Sequence, residues 1–166
     1  MIAEEICDRK LTLSQLAEEA GLTVSIFTGD KDAFQLVSDS TTVYRTVKGV
    51  SQLDVYTPQT ILEKYHLVPD QIRDLLGLMG DSADNIPGIK GVGEKTALKL
   101  LNQYQTIENL KEHSQEIKGK MGEKIRENID LGLQSKKIAT ILRDIPIHLD
   151  LEKAHYTGYH YEQLKN

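Results

Sequence analysis

A chain of 166 residues with 39% hydrophobic content is long enough to bury one real core, so one compact unit, or one core with a small appendage, is expected. No apolar stretch approaches the length that crosses a bilayer, and Met1 to Lys10 is too charged for the hydrophobic part of a signal peptide, which points to a cytoplasmic protein with no membrane partner. The net charge of −5 speaks against nucleic acid until it is divided: residues 1–87 carry 7 basic and 14 acidic side chains, residues 88–137 carry 10 and 7, and residues 138–166 carry 3 and 4.

Cys7 stands alone, without a disulfide partner, a zinc ligand at useful spacing or a neighbouring base, so it reads as inert. Thr12 with Gln15 is a capping-box pattern, and Leu13, Leu16, Ala17 and Ala20 keep helical spacing up to a stop at Gly21. Thr23 to Thr28 is β-branched and aromatic; a short buried strand there delivers Asp30 and Asp32 at its C-terminal end, the edge where open α/β sheets bind ligands. Thr41 to Thr46 and Gln52 to Tyr56 flank Lys48-Gly49 as a hairpin or a pair of short strands. Thr57-Pro58 starts a helix, and Pro69 starts another with Ile72, Leu75, Leu76 and Met79 on one face and a stop at Gly80. Ala97, Leu100, Leu101 and Tyr104 form one apolar stripe, and Ile125, Ile129 and Leu133 another. A final helix is expected around Ser135 to Leu142, then a strand over Ile145 to Leu151, with no internal repeat. The fold class is therefore α/β and predominantly helical: a partial α/β core over residues 1–56, a helical region over 57–142, and a C-terminal strand and tail over 143–166.

The densest chemistry lies in Gly80-Asp81-Ser82-Ala83-Asp84-Asn85-Ile86-Pro87-Gly88, followed by Gly91-Val92-Gly93-Glu94-Lys95-Thr96. Asp81 and Asp84, a helical turn or a tight loop apart, suit a hard oxygen-ligated cation, while Gly91 and Gly93 let backbone approach a phosphate at the helix start near Glu94. A glycine pair before a helix is weak by itself, but Lys90, Lys95 and Lys99 and the local basic excess strengthen it. The spacing does not fit an EF-hand, and the scattered histidines at 66, 113, 148, 155 and 160 suggest no site. Helical spacing assigns Tyr65 and Tyr104 to packing ahead of base stacking.

Together with Thr28-Gly29-Asp30-Lys31-Asp32, Tyr56-Thr57-Pro58, Leu78-Met79 and Ser135-Lys136-Lys137, these motifs resemble the 5′→3′ exonuclease domain of bacterial DNA polymerase I, related to the flap endonucleases. The resemblance runs from about Leu13 to about Tyr159 and covers the C-terminal part of that domain. It implies Asp30, Asp32, Asp81 and Asp84 as catalytic metal ligands for Mg2+ or Mn2+ in a two-metal site. It further implies a helix-three-turn-helix near residues 80–104, with Gly88, Lys90, Gly91, Gly93, Lys95, Thr96 and Lys99 on DNA and K+ held by the turn's carbonyls. In the family an acidic run precedes the first matching helix; here Glu5-Ile6-Cys7-Asp8 stands there, so Glu5 and Asp8 are the remaining candidate ligands. The family's early strand aspartate, helical arch and polymerase have no counterpart in this sequence, so a bacterial chain that binds duplex or 5′-flap DNA but is catalytically incomplete is expected. The alternative is a non-catalytic structural or protein-interaction remnant.

Overall fold

The computed structural model describes residues 12–47, 52–143, 146–156 and 158. Thr23–Leu142 is one compact unit, and the described residues of Met1–Leu22 and Arg143–Asn166 belong to a second. In the second unit, α1 (Leu13–Glu19) starts at the expected capping box: Gln15 N–H donates to Thr12 Oγ1 at 3.3 Å, and Thr12 N–H donates to Gln15 Oε1 at 3.1 Å. The strand expected over Ile145 to Leu151 is absent among the described residues. Its alternating pattern finds no ladder partner there, and Asp150 instead accepts the Lys153 N–H at 3.1 Å to close a turn.

In the larger unit, β1 (Val24–Thr28), β2 (Thr41–Thr46) and β3 (Leu53–Tyr56) form a sheet in that order. β1 and β2 run parallel with Val24 opposite Thr41, and β2 and β3 antiparallel with Val43 opposite Tyr56. Period-two alternation decides the faces. Val43 and Tyr56 enter the core, where Tyr56 stacks on Phe34 at 3.9 Å between ring centroids. The other face carries Phe27, stacked on Tyr44, and Val55. This corrects the expectation of a buried first strand: Phe27 is 64% exposed, because β1 is an edge strand among the described residues and only one face of the sheet meets the helices.

The helices are α2 (Pro58–Tyr65), α3 (Ile72–Met79), α4 (Glu94–Tyr104), α5 (Ile107–Glu112) and α6 (Gly119–Ala139). Both expected apolar stripes enter one core. The separate helix expected around Ser135 to Leu142 is instead the last part of α6. Gly132, which invites a break, is where α6 passes α3: a Cβ there would meet Ile89 at 3.1 Å, and one on Gly77 of α3 would meet the Gly132 carbonyl at 3.0 Å. The short α5 had not been anticipated. Thr106 caps it by accepting Asn109 N–H at 3.2 Å, and Ile107 N–H donates to Asp74 Oδ1 at 2.9 Å.

Asp74 is 1% exposed and also meets Lys136 Nζ at 2.7 Å; the same ammonium meets Glu108 Oε2 at 2.7 Å. Burial lifts the Asp74 carboxyl above its ordinary range despite both hydrogen bonds, whereas at Glu108 burial is the largest single influence but Lys136, a backbone hydrogen bond and Arg73 together lower the carboxyl. Three helices, α3, α5 and α6, are tied together through this ammonium.

Candidate functional site

The first aspartate pair sits where β1 ends. Asp30 N–H donates to Thr28 Oγ1 at 3.0 Å, and Asp30 Oδ1 accepts Asp32 N–H at 2.9 Å, so the chain turns directly into a short 3₁₀ helix, Asp32–Leu36. Asp32 is thus on the helix start and not on the strand. The second pair sits on a tight loop closed by a two-bond bridge: Asp81 N–H donates to Ile86 O at 2.9 Å, and Ile86 N–H returns to Asp81 O at 2.8 Å. Asp81 Oδ1 accepts Ala83 N–H at 2.8 Å, and Asn85 takes a left-handed φ of 57°.

The fold brings the two pairs into electrostatic contact. Asp32 is pushed up to about 6, first by burial and then by the charges of Asp30, Asp84 and Asp81. Its Oδ1 is buried without a hydrogen-bond partner. A partly buried carboxylate with an orphaned oxygen and three like charges nearby is electrostatically incomplete, and hard oxygen donors of this kind fit a divalent cation. Among the described residues, however, no three His, Cys, Asp or Glu side chains already stand at metal-holding distances. Glu5 and Asp8 lie outside the described residues.

The sign of the Asp32 shift yields one expectation. The folded state binds that proton more tightly than the unfolded chain, so Asp32's contribution to stability is fully present below about pH 3.8 and is lost as pH rises through about 6. In EDTA, urea midpoints of Asp32→Asn should therefore gain on the parent as pH rises across that window and remain higher above it. A parent and variant that track each other would refute this.

Beside the aspartates, the glycine turn is held from below. Gly88 is buried with φ 59°, and its N–H donates to Ser135 Oγ of α6 at 3.1 Å. That N–H is committed to Ser135, so of the expected DNA-contacting glycines Gly88 serves the turn's shape. Ile89 N–H donates to Leu78 O at 2.8 Å, and Val92 N–H to Ile89 O at 2.9 Å. Gly91 has φ 84°, and Gly93 is the N-cap of α4 without a side chain to occupy the first-turn donors. Lys90, Lys95 and Lys99 are exposed, while Thr96 is half-buried. Lys124 on α6 had escaped the sequence reading: its Nζ lies 3.0 Å from where a Gly91 Cβ would be. A signal existed, since Ile117-Lys118-Gly119 and Gly122-Glu123-Lys124 echo Ile89-Lys90-Gly91 and Gly93-Glu94-Lys95, with Gly119 also at positive φ. The expectation of no internal repeat is corrected accordingly.

Residues 67–162 match the model of the 5′-3′ exonuclease, C-terminal SAM fold. The chain belongs to this 5′-3′ exonuclease family. DNA polymerase I of Bacillus subtilis is 49% identical over 154 residues, which cover 92% of this chain and 18% of that protein. DNA polymerase I of Mycobacterium tuberculosis is 42% identical over 143 residues, 86% of this chain and 16% of that one. The chain thus spans less than a fifth of the polymerases it matches. A bacteriophage T5 flap endonuclease, solved as a pseudo-enzyme-product complex with DNA and metal ions, superimposes with a TM-score of 0.66 at 18% identity over 80% of this chain and 47% of that one. A Rad2 catalytic core in complex with a DNA substrate gives a TM-score of 0.52 at 17% identity, over 80% and 48%. These two likenesses bear on the fold: a small sheet leading into packed helices. No helix among the described residues is long and apolar enough to cross a membrane.

Proposed function

We propose that this chain holds DNA by its sugar-phosphate backbone, without reading sequence, as part of a metal-dependent 5′→3′ nuclease of the DNA polymerase I type used in bacterial replication and repair. The observation that carries the reading is the half-buried Asp32, with an orphaned oxygen and the like charges of Asp30, Asp84 and Asp81 acting on it, beside a glycine turn with exposed lysines. Family membership and the DNA-bound fold relatives support the same partner.

Asp30, Asp32, Asp81 and Asp84 are the residues that would hold Mg2+ or Mn2+, which when bound supplies charge stabilisation for phosphodiester hydrolysis. Asp32 must release its proton to serve. Gly91 and Gly93 admit phosphate to the backbone, Lys90, Lys95, Lys99 and Lys124 neutralise it, and a monovalent ion such as K+ suits the turn's carbonyls. Because no three carboxylates already stand at metal-holding distances among the described residues, binding is the chain's stronger activity and cleavage the weaker. A polymerase region and the nuclease's N-terminal region are its natural partners in a longer protein.

The test is a 5′-labelled flap duplex incubated with the chain in Mg2+ or EDTA and run on native and denaturing gels. A retarded band is expected, with a log–log salt slope of about −0.9 per neutralised phosphate, and Lys95→Gln or Lys99→Gln should each flatten it by about one unit. Absence of retardation even at low salt would overturn the reading. Mg2+-dependent shortening that Asp81→Ala removes would show that the four carboxylates suffice for chemistry.

A further inference from the structure

We propose that the groove between α4 and the turn into α6 is a docking site for an acidic peptide that anchors apolar side chains, a partner class distinct from DNA. The open groove holds about 520 Å³, with Lys95, Lys99 and Lys118 and one carboxylate, Glu116, around Leu100, Ile117 and Met121. That volume lies within the range of ligand pockets and exceeds what a phosphate oxygen needs.

Two features choose the occupant. All three lysines are exposed, and among the described residues none is paired with a carboxylate; against the single Glu116 they leave the rim net positive and complementary to an anion. The floor is aliphatic, which a phosphodiester backbone cannot use. A nucleobase would need an open aromatic face, but the lining tyrosine, Tyr104, is 7% exposed and its ring lies 6.0 Å from that of His113. A peptide with Leu or Phe flanked by Asp and Glu satisfies rim and floor together. The inference does not depend on the nuclease reading, although Lys95 and Lys99 are common to both surfaces, so peptide and DNA should compete.

The probe is a short fluorescein-labelled peptide of Asp and Glu around a central Leu-Phe pair, titrated by anisotropy against the full chain, with a labelled single-stranded oligonucleotide and the flap duplex in parallel. Saturable peptide binding is expected. Lys118→Glu should weaken it about tenfold by reversing one rim charge, and Met121→Gln should weaken it several-fold while leaving flap binding unchanged. A peptide with Ser-Ser in place of Leu-Phe should lose most of its affinity. Equal binding of the Ser-Ser peptide would overturn the proposal by reducing it to bulk electrostatics, and so would unsaturable binding. Loss of oligonucleotide binding in Met121→Gln with peptide binding intact would assign the groove to nucleic acid instead. Lys118 is exposed, so its variant keeps the test decisive should Met121→Gln fail to fold.

Discussion

Replacing Gly88 by alanine is expected to destabilise the larger unit by about 2–4 kcal/mol, since a left-handed φ costs a non-glycine residue about 1 kcal/mol and overpacking adds about 1–3 kcal/mol. Gly88 has φ 59°, and an added Cβ would stand 2.3 Å from Gly80 N and 2.6 Å from Met79 C, both backbone atoms that no rotamer change can move. The loop from Gly80 to Gly88 folds back on its own start, so relieving the clash means opening the loop that carries Asp81 and Asp84. Thermal denaturation should show a drop of roughly ten degrees or more, against a total stability on the order of 5–15 kcal/mol for such domains. Gly91→Ala is the internal control. It too has positive φ, but its Cβ would meet only the end of the Lys124 side chain, so about 1 kcal/mol is expected. Equal melting temperatures for the two variants would refute the backbone-collision account.

Lys136→Met should be the most damaging substitution of a polar side chain, costing about 3–5 kcal/mol, because it leaves the buried Asp74 carboxylate without its cation. Asp74 keeps only the Ile107 N–H, and Glu108 loses the charge that lowers it. The shared ammonium is also what holds α3, α5 and α6 at one point, so the loss should appear in global unfolding and not in local fraying. Asp74→Asn in the Lys136→Met background should recover much of the stability, since the amide is neutral and still accepts from Ile107. A double variant as unstable as the single one would show that Lys136 acts through packing of its stem instead of through charge. Retarded migration of flap DNA by the folded double variant would further separate this network from the DNA-binding surface.

Local chemistry was legible in the sequence wherever a few neighbouring residues suffice. The Thr12 and Thr57 caps, the stop at Gly80 and the stripe of Ala97, Leu100, Leu101 and Tyr104 all appear where short-range spacing placed them. Family membership was legible for a related reason: the motifs around Asp30, Asp81 and Gly91 are each short and ordered along the chain. Three elements resisted. α5 is only six residues long, below what an apolar period can announce, and part of its N-terminal capping comes from Asp74, 33 positions away. The unity of α6 was hidden because its middle is shaped by distant neighbours: Gly132 lies close against Ile89 and Gly77. The strand expected at Ile145 to Leu151 had a pattern but no partner to make a ladder among the described residues.

The sequence alone determined which residues carry the chemistry, the family, the caps and most of the core stripes, because these depend on side-chain type and on periods of two or 3.6 residues along one segment. Only the tertiary structure decided that the two aspartate pairs feel one another's charge, that Asp32 is the carboxylate pressed by the others, and that Ser135 braces, and Lys124 lies beside, a turn more than thirty residues before them. Those are properties of distance and burial between segments far apart in the chain. Electrostatic coupling falls with separation in space and is indifferent to separation in sequence, so it is fixed only when the core has closed.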